Sequence, residues 1–277
     1  MAANRALEDM LRLAARLVPG LRGVVLAQPE APSARSVQDP VYVCPAPRAD
    51  EGNRAALDAL LAHWSRAYPE AGRAYWASRC WGILIWQPVY LSVIGVHAAQ
   101  RVLSLAALAQ PVSEGWTREV RLPDHAPATG DTERLIAHAA REIAACCAQI
   151  YAALTPVIHV NPAVARGTQA DVVLAALLAA RKMRPEWSHA QVDALGRQWL
   201  AALGLADCGG YFAFARSDGS CSLALERRTC CYHYRRRDGE MCSTCPRLAK
   251  HERIVRLNAE RDAVLEAHGV QPKGIDR

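Results

Sequence analysis

The chain has 277 residues, about half of them apolar and about a fifth charged, and its net charge of +6 is carried almost wholly by arginine, since lysine occurs only at positions 182, 250 and 273. This is the composition of a folded globular protein large enough for a proper core; it excludes a low-complexity or repeat architecture, and at this size no disulfide staples are needed. The mild positive charge favours acidic partners or anionic ligands, and by itself does not indicate nucleic-acid binding.

Leu7, Met10, Leu11, Leu13, Ala14 and Leu17 share one helical face, so residues 4–18 read as an amphipathic helix rather than a signal peptide. A reducing, cytoplasmic setting is expected, where ten cysteines suggest a metal site more than a disulfide framework. Residues 19–52 are rich in Pro and Gly, with one β-like run at Val41-Tyr42-Val43-Cys44. Residues 53–67 read as a helix with Asn53 near its cap. Residues 70–87 and 89–108 read as two helices, or as one kinked at Pro88. No charge occurs from Cys80 to Gln100, a length that could span a bilayer. Gln87, Pro88, Ser92 and His97 interrupt it, so a buried core segment is expected, and peripheral contact with the inner membrane stays open.

Residues 111–130 look irregular, apart from a short strand over Arg118–Leu122. Residues 131–154 form a long helical pattern. Thr168-x-x-Asp171 and Ser188-x-x-Gln191 read as capping boxes opening two helices that run to about Lys182 and Leu203. The runs Tyr211–Arg216 and Ser222–Glu226 then form a β-hairpin with Asp218-Gly219 in the turn. After Pro246 a last amphipathic helix runs to about His268. The expected fold is mainly α, with a small α+β C-terminal region in which the hairpin leads into a four-cysteine site. The expected divisions are a helical main domain over 1–205, the hairpin and cluster-binding region over 206–250, and a C-terminal helix and tail over 251–277.

The chemistry concentrates in Cys230, Cys231, Cys242 and Cys245, four thiols within sixteen residues. The x2 spacing of Cys242 and Cys245 turns both sulfurs to one side of a tight loop. A turn at Asp238-Gly239 brings that pair back to the first. Four thiolates suit zinc or an iron–sulfur cluster equally by ligand type. Adjacent side chains diverge, by about 100° on a helix and to opposite faces on a strand. Aiming Cys230 and Cys231 at one tetrahedral zinc is therefore strained, whereas a two-iron cluster is a wider target.

The pattern CC-x10-C-x2-C followed by Pro246 resembles the FhuF-type ferric-siderophore reductases, and Trp81-Gly82-Ile83-Leu84-Ile85-Trp86-Gln87-Pro88-Val89-Tyr90 resembles that family's Trp- and Pro-containing central segment. The resemblance implies a [2Fe–2S] cluster on Cys230, Cys231, Cys242 and Cys245, and no catalytic residue beyond the cluster. It implies a one-electron reductase that converts siderophore-bound Fe(III) to Fe(II) and releases iron in the cytoplasm. The substrate is then a ferric siderophore, and the electron comes from a separate protein such as a ferredoxin or flavoprotein reductase. No G-x-G-x-x-G follows a strand, which argues against a dinucleotide site in this chain.

The alternative is a zinc-binding nucleic-acid or interaction module built on the same cysteines, since Tyr232–Arg237 mixes aromatic and basic residues. The Cys-Cys adjacency stands against it, and no nucleic-acid partner is expected. Cys44, Cys80, Cys146 and Cys147 read as core thiols, with Cys208 and Cys221 as substitute ligands only if the motif is misread. His233 reads as a neighbour of the cluster rather than a ligand. Arg227, Arg228, Arg235, Arg236 and Arg237 form either a solvated basic loop or a docking patch. Trp76, Trp81 and Trp86 read as core or as the wall of a chelate pocket, and His97 and Gln100 either face such a pocket or are satisfied inside the core.

Overall fold

The computed structural model describes residues 5–26, 41–44 and 51–267. Its centre is helix α3 (Gly72–Ile94), buried on almost every side because its residues are apolar all round rather than on one stripe. Around it pack α2 (Glu51–Ala67), α4 (Thr132–Leu154) and α5 (Pro162–Arg181), the last most extensively. Helices α1 (Arg5–Leu17) and α6 (His189–Ala202) close the sides. Together they bury one continuous core.

Two helical stretches, Pro69–Ala99 and Pro162–Arg181, are long and apolar enough to cross a bilayer. The most apolar part of the first is 72% buried inside the protein, as a core helix is.

Pro88 does not break α3. Proline removes the N–H that would bond to the carbonyl four residues earlier. Here that carbonyl, on Leu84, accepts a hydrogen bond from Gln110 Nε2 at 3.0 Å instead. The helix widens into a π-turn over Gly95–Ala99 and stops at Gln100, whose φ of 51° is left-handed. It therefore ends well short of the expected residue 108. The following loop is held by Ser104 N–H donating to His125 Nε2 at 2.9 Å and Leu105 N–H donating to Glu142 Oε2 at 2.8 Å.

A five-stranded sheet lies within the region expected to be helical. Strands β1 (Gly23–Leu26), β2 (Val41–Cys44), β3 (Leu108–Ser113) and β5 (Val120–Pro123) run in the order β1-β5-β3-β2, with β4 (Trp116–Thr117) paired to β3. β1 and β5 are parallel, and the other pairs antiparallel. The expectation held one strand over 19–52, at β2, and missed β1. It held the strand at β5 and read the start of β3 as helix. The two-residue β4, within the stretch expected to be irregular, was missed as well, and the strand signal of β3 is weakened by Pro111.

Two expected caps are corrected. Asn53 does not cap α2, which begins at Glu51; its side chain accepts from Val43 N–H at 2.7 Å and donates to Val43 O at 2.8 Å, extending the edge of β2. Thr168 and Asp171 open no helix. Helix α5 starts six residues earlier at Pro162, capped by Asn161, which accepts from Ala163 N–H at 2.9 Å. The Ser188 box opens α6 as expected, with both reciprocal hydrogen bonds formed.

The hairpin of β6 (Tyr211–Ala215) and β7 (Cys221–Leu225) turns through Asp218 and Gly219, where φ is 79°. It is anchored to the main body by Tyr211, whose hydroxyl donates to Leu174 O at 2.6 Å. The last helix, α7 (Lys250–Ala267), ties back to the hairpin through Arg253, which meets Glu226 at 2.8 Å and stacks over Phe212 at 5.0 Å. The expected endpoint His268 lies outside the described residues.

His97 is 3% exposed and its Nε2 accepts the Trp199 indole N–H at 2.8 Å, so it is a satisfied core group with its own proton on Nδ1. Burial, reinforced by Arg184, pushes its pKa down to about 4. An unfolded histidine titrates near 6.5. The folded value is the lower one, so on acidification the unfolded chain takes up the proton first. His97 therefore withdraws stability as pH falls from about 6.5 to about 4 and has no such effect above that window. Thermal melts of wild type and His97→Gln should differ most in pH slope inside it; equal slopes would contradict this account.

Candidate metal centre

The cysteine segment leaves β7 and is fastened to α5 at two points. Arg227 Nε donates to Asp171 Oδ2 at 2.7 Å, and both side chains are largely buried. Thr229 sits on Gly167 so closely that a Cβ there would lie 2.2 Å from its Oγ1, an approach only glycine allows. The chain then passes Cys230 and Cys231 and turns sharply at Tyr232, whose φ is 58°. This left-handed residue is followed by a 3₁₀ turn over His233–Arg235. The bend directs consecutive N–H groups at the two sulfurs: Tyr232 N–H donates to Cys230 Sγ at 3.4 Å and His233 N–H to Cys231. Successive N–H groups of this kind form a concavity suited to anionic sulfur.

The excursion returns through Gly239, where a Cβ would lie 2.2 Å from His233 O. Arg236 pairs with Asp238 at 2.7 Å and donates to the Tyr68 hydroxyl at 2.6 Å, while Arg237 N–H donates to Glu70 Oε1 at 2.9 Å. The last turn closes with Cys245 N–H donating to Cys242 O at 2.9 Å.

The four thiols come together two and two. Cys231 lies within side-chain hydrogen-bonding reach of Cys242, and Cys230 of Cys245. Among the described residues no three Cys, His, Asp or Glu side chains converge as a single metal ion requires. Two neighbouring pairs of sulfurs fit a centre with two metal atoms, which four thiolates can hold between them. Cys231 is the acidic member of its pair: the Cys242 thiol donates to it, Arg227 adds positive charge, and its pKa falls to about 4 while that of Cys242 rises in return. Burial raises the Cys230 thiol. Cys245 is buried, and Arg227 Nη1 donates to Cys242 Sγ at 3.4 Å.

Cys231 and Cys242 also form part of the wall of a cavity of about 570 Å³. The opposite wall is α3, which contributes Tyr75, Ser78, Arg79 and Trp86, with Gly82 opposite Thr168 leaving room between α3 and α5. Trp116 stands at the edge, 42% exposed. It is placed by the two-residue turn Glu114-Gly115, both left-handed, joining β3 to β4. Arg79 packs against two indoles that meet edge-to-face, its Cζ 4.5 Å from the ring centres of Trp64 and Trp116. Burial lowers its pKa, and its Nε has no partner among the described residues. Trp86 Nε1 is likewise a buried donor with no partner. Both donors are enclosed within the wall; what the wall presents to a ligand is aromatic surface and the positive charge of Arg79.

Of the residues singled out in the sequence, Trp86 and His233 line this cavity. Trp81 is core, its N–H bonded to Ala165 O at 3.0 Å, and Trp76 bonds to Tyr68 O at 2.8 Å. His97 and Gln100 border a different, smaller cavity. Cys44, Cys80, Cys146 and Cys147 are buried, and Cys221 is exposed on the hairpin. Sequence reasoning missed Arg79 and Trp116, which lie far from the cysteines in the chain. The one available hint was that Arg79 is the last charge before the uncharged run from Cys80 to Gln100.

Residues 227–247 match the family model described as the FhuF 2Fe-2S C-terminal domain. That segment is a [2Fe–2S]-binding domain, so the cofactor is a [2Fe–2S] cluster and the chain is an iron–sulfur protein with a redox role. The match supports an FhuF-like family. No solved structure matches the chain.

Proposed function

We propose that Cys230, Cys231, Cys242 and Cys245 hold the cluster and that the protein is a one-electron reductase of ferric siderophores. The observation that carries this reading is that Cys231 and Cys242 belong to the wall of the aromatic cavity, so a chelate seated there lies directly against the cluster ligands. When bound, the cluster supplies a one-electron couple whose potential depends on hydrogen bonds and charge around the sulfurs. The residues of the cavity bind and orient. Trp86 and Trp116 cover the apolar parts of a chelate, and the positive charge of Arg79 attracts its oxygens. Reduction of Fe(III) to Fe(II) consumes one electron and needs neither nucleophile nor general base. Fe(II) is larger and softer than Fe(III) and is held weakly by hard oxygen ligands, so it leaves, in the cytoplasm on this reading.

A separate protein such as a ferredoxin or flavoprotein reductase returns the electron. Arg228, Arg235 and Arg247 are exposed and have no carboxylate partner among the described residues, which suits an acidic donor. Arg227, Arg236 and Arg237, by contrast, are occupied with internal ties.

The test is anaerobic. Purified protein, reduced and freed of reductant, is mixed with a ferric siderophore and an Fe(II)-trapping dye. Cluster reoxidation with one Fe(II) trapped per electron is expected. A reduced cluster that persists unchanged beside several chelate classes would reject the reductase reading.

A further inference from the structure

We propose that Arg227, oriented by Asp171, is a positioning residue that sets the reduction potential of the cysteine site from its cavity-facing side. This rests on the ligand assignment above. Arg227 and Arg228 are neighbours in the chain and have opposite surroundings: Arg228 is exposed, whereas the Arg227 side chain is only 13% exposed. One edge of its guanidinium binds Asp171 through Nε at 2.7 Å, leaving Nη1 to reach Cys242 Sγ at 3.4 Å. An anchor for the loop would be complete with the carboxylate alone. The second contact points a buried positive charge at one of the two sulfurs that line the cavity.

Asp171 is itself unusual. It sits in the middle of α5 with its side chain 7% exposed, and its second oxygen, Oδ1, has no partner among the described residues. A carboxylate is costly there unless it serves its arginine. Thr168 from the same helix and Arg79 and His233 across the cavity complete the surroundings of the pair of sulfurs.

Reduction adds one negative charge to the site. A donor and a positive charge close to sulfur favour the reduced form, and a negative charge behind them opposes it. The two partners of one ion pair must therefore act in opposite directions. Arg227→Met should lower the midpoint potential, and Asp171→Asn, which preserves shape and leaves the guanidinium unneutralised, should raise it. A pair that only fastens the loop predicts shifts of the same sign, because each substitution loosens the same contact.

The experiment is a spectroelectrochemical titration of full-length wild type, Arg227→Met, Arg227→Lys and Asp171→Asn, without siderophore, at a pH near 8. Asp171 is ionised there, since burial raises its pKa only to about 6. Iron content is measured first. Arg227→Met should reduce the reduced-to-oxidised ratio at fixed potential about tenfold, equal to about 59 mV for one electron. Arg227→Lys should fall less, and Asp171→Asn should shift severalfold the other way. If Arg227→Met fails to hold the cluster, the opposite signs of the Lys and Asn variants decide. Shifts of one sign, or no shift beyond scatter, overturn the proposal. A wild type that binds no cluster overturns it together with the ligand assignment. A wild type that titrates as expected and fails to reduce chelates rejects the reductase reading alone.

Discussion

Exchange of Cys242 for alanine should remove the visible absorption and the two irons of the purified protein, and exchange of Cys230, Cys231 or Cys245 should do the same. Each thiol sits in one of two close pairs. Losing one therefore leaves half of the centre with a single thiolate. Cys208 and Cys221 provide the control. They are partly and fully exposed free thiols outside the paired set, and alanine at either should leave iron content and spectrum intact. Folding of the main body should survive in all six variants, because the core cluster of α3, α4 and α5 includes none of these cysteines. Iron and zinc analysis with visible spectra on anaerobic preparations checks this. Wild-type spectra in a Cys242→Ala protein, or their loss in Cys221→Ala, would mean that the ligand set is wrong.

The second large effect falls on the other wall of the cavity. Arg79→Met should leave the cluster spectrum in place while chelate reduction falls by about 10–100-fold, the weight of a hydrogen bond from a charged donor of roughly 1.5–3 kcal/mol. The argument is one of preorganisation. Trp64 and Trp116, edge-to-face with each other, both pack against the guanidinium, so it meets an acceptor without losing rotamer freedom, and burial has already stripped it of water. Arg79→Lys should recover little, because an ammonium lacks the planar face that the two indoles grip. Measured with pre-reduced protein, the loss should appear in the dependence on chelate concentration. Unchanged kinetics in Arg79→Met would place the chelate elsewhere, even if the cysteine assignment stands.

The sequence was most legible where local rules dominate. The Asp218-Gly219 hairpin and the Ser188 box each depend on residues within a few positions of one another, and each forms. The errors have a common origin in tertiary contacts. Thr168-x-x-Asp171 has the letters of a helix start, yet Asn161-Pro162 six residues earlier is the stronger signal, and Asp171 is reserved for an arginine 56 positions away. Pro88 suggested a kink, and Gln110, from a strand not expected there, supplies the missing donor to Leu84. Of the four-residue strands of the sheet, β2 and β5 were legible as apolar or alternating runs and β1 was not. The cavity was legible in part: Trp86 was named, and Arg79 and Trp116 become neighbours only when β4 folds against α3.

The cavity joins two walls of different kinds. One is the most deeply buried helix of the molecule, fixed whatever happens at the cysteines. The other is a strap of about twenty residues tied down at Arg227, Thr229, Arg236 and Arg237, whose shape between those ties is a matter of where its sulfurs are held. The cysteine strap and the cavity thus share a surface: a substitution on the strap changes the face of the cavity together with the surroundings of the sulfurs, whereas one on α3 changes the cavity alone.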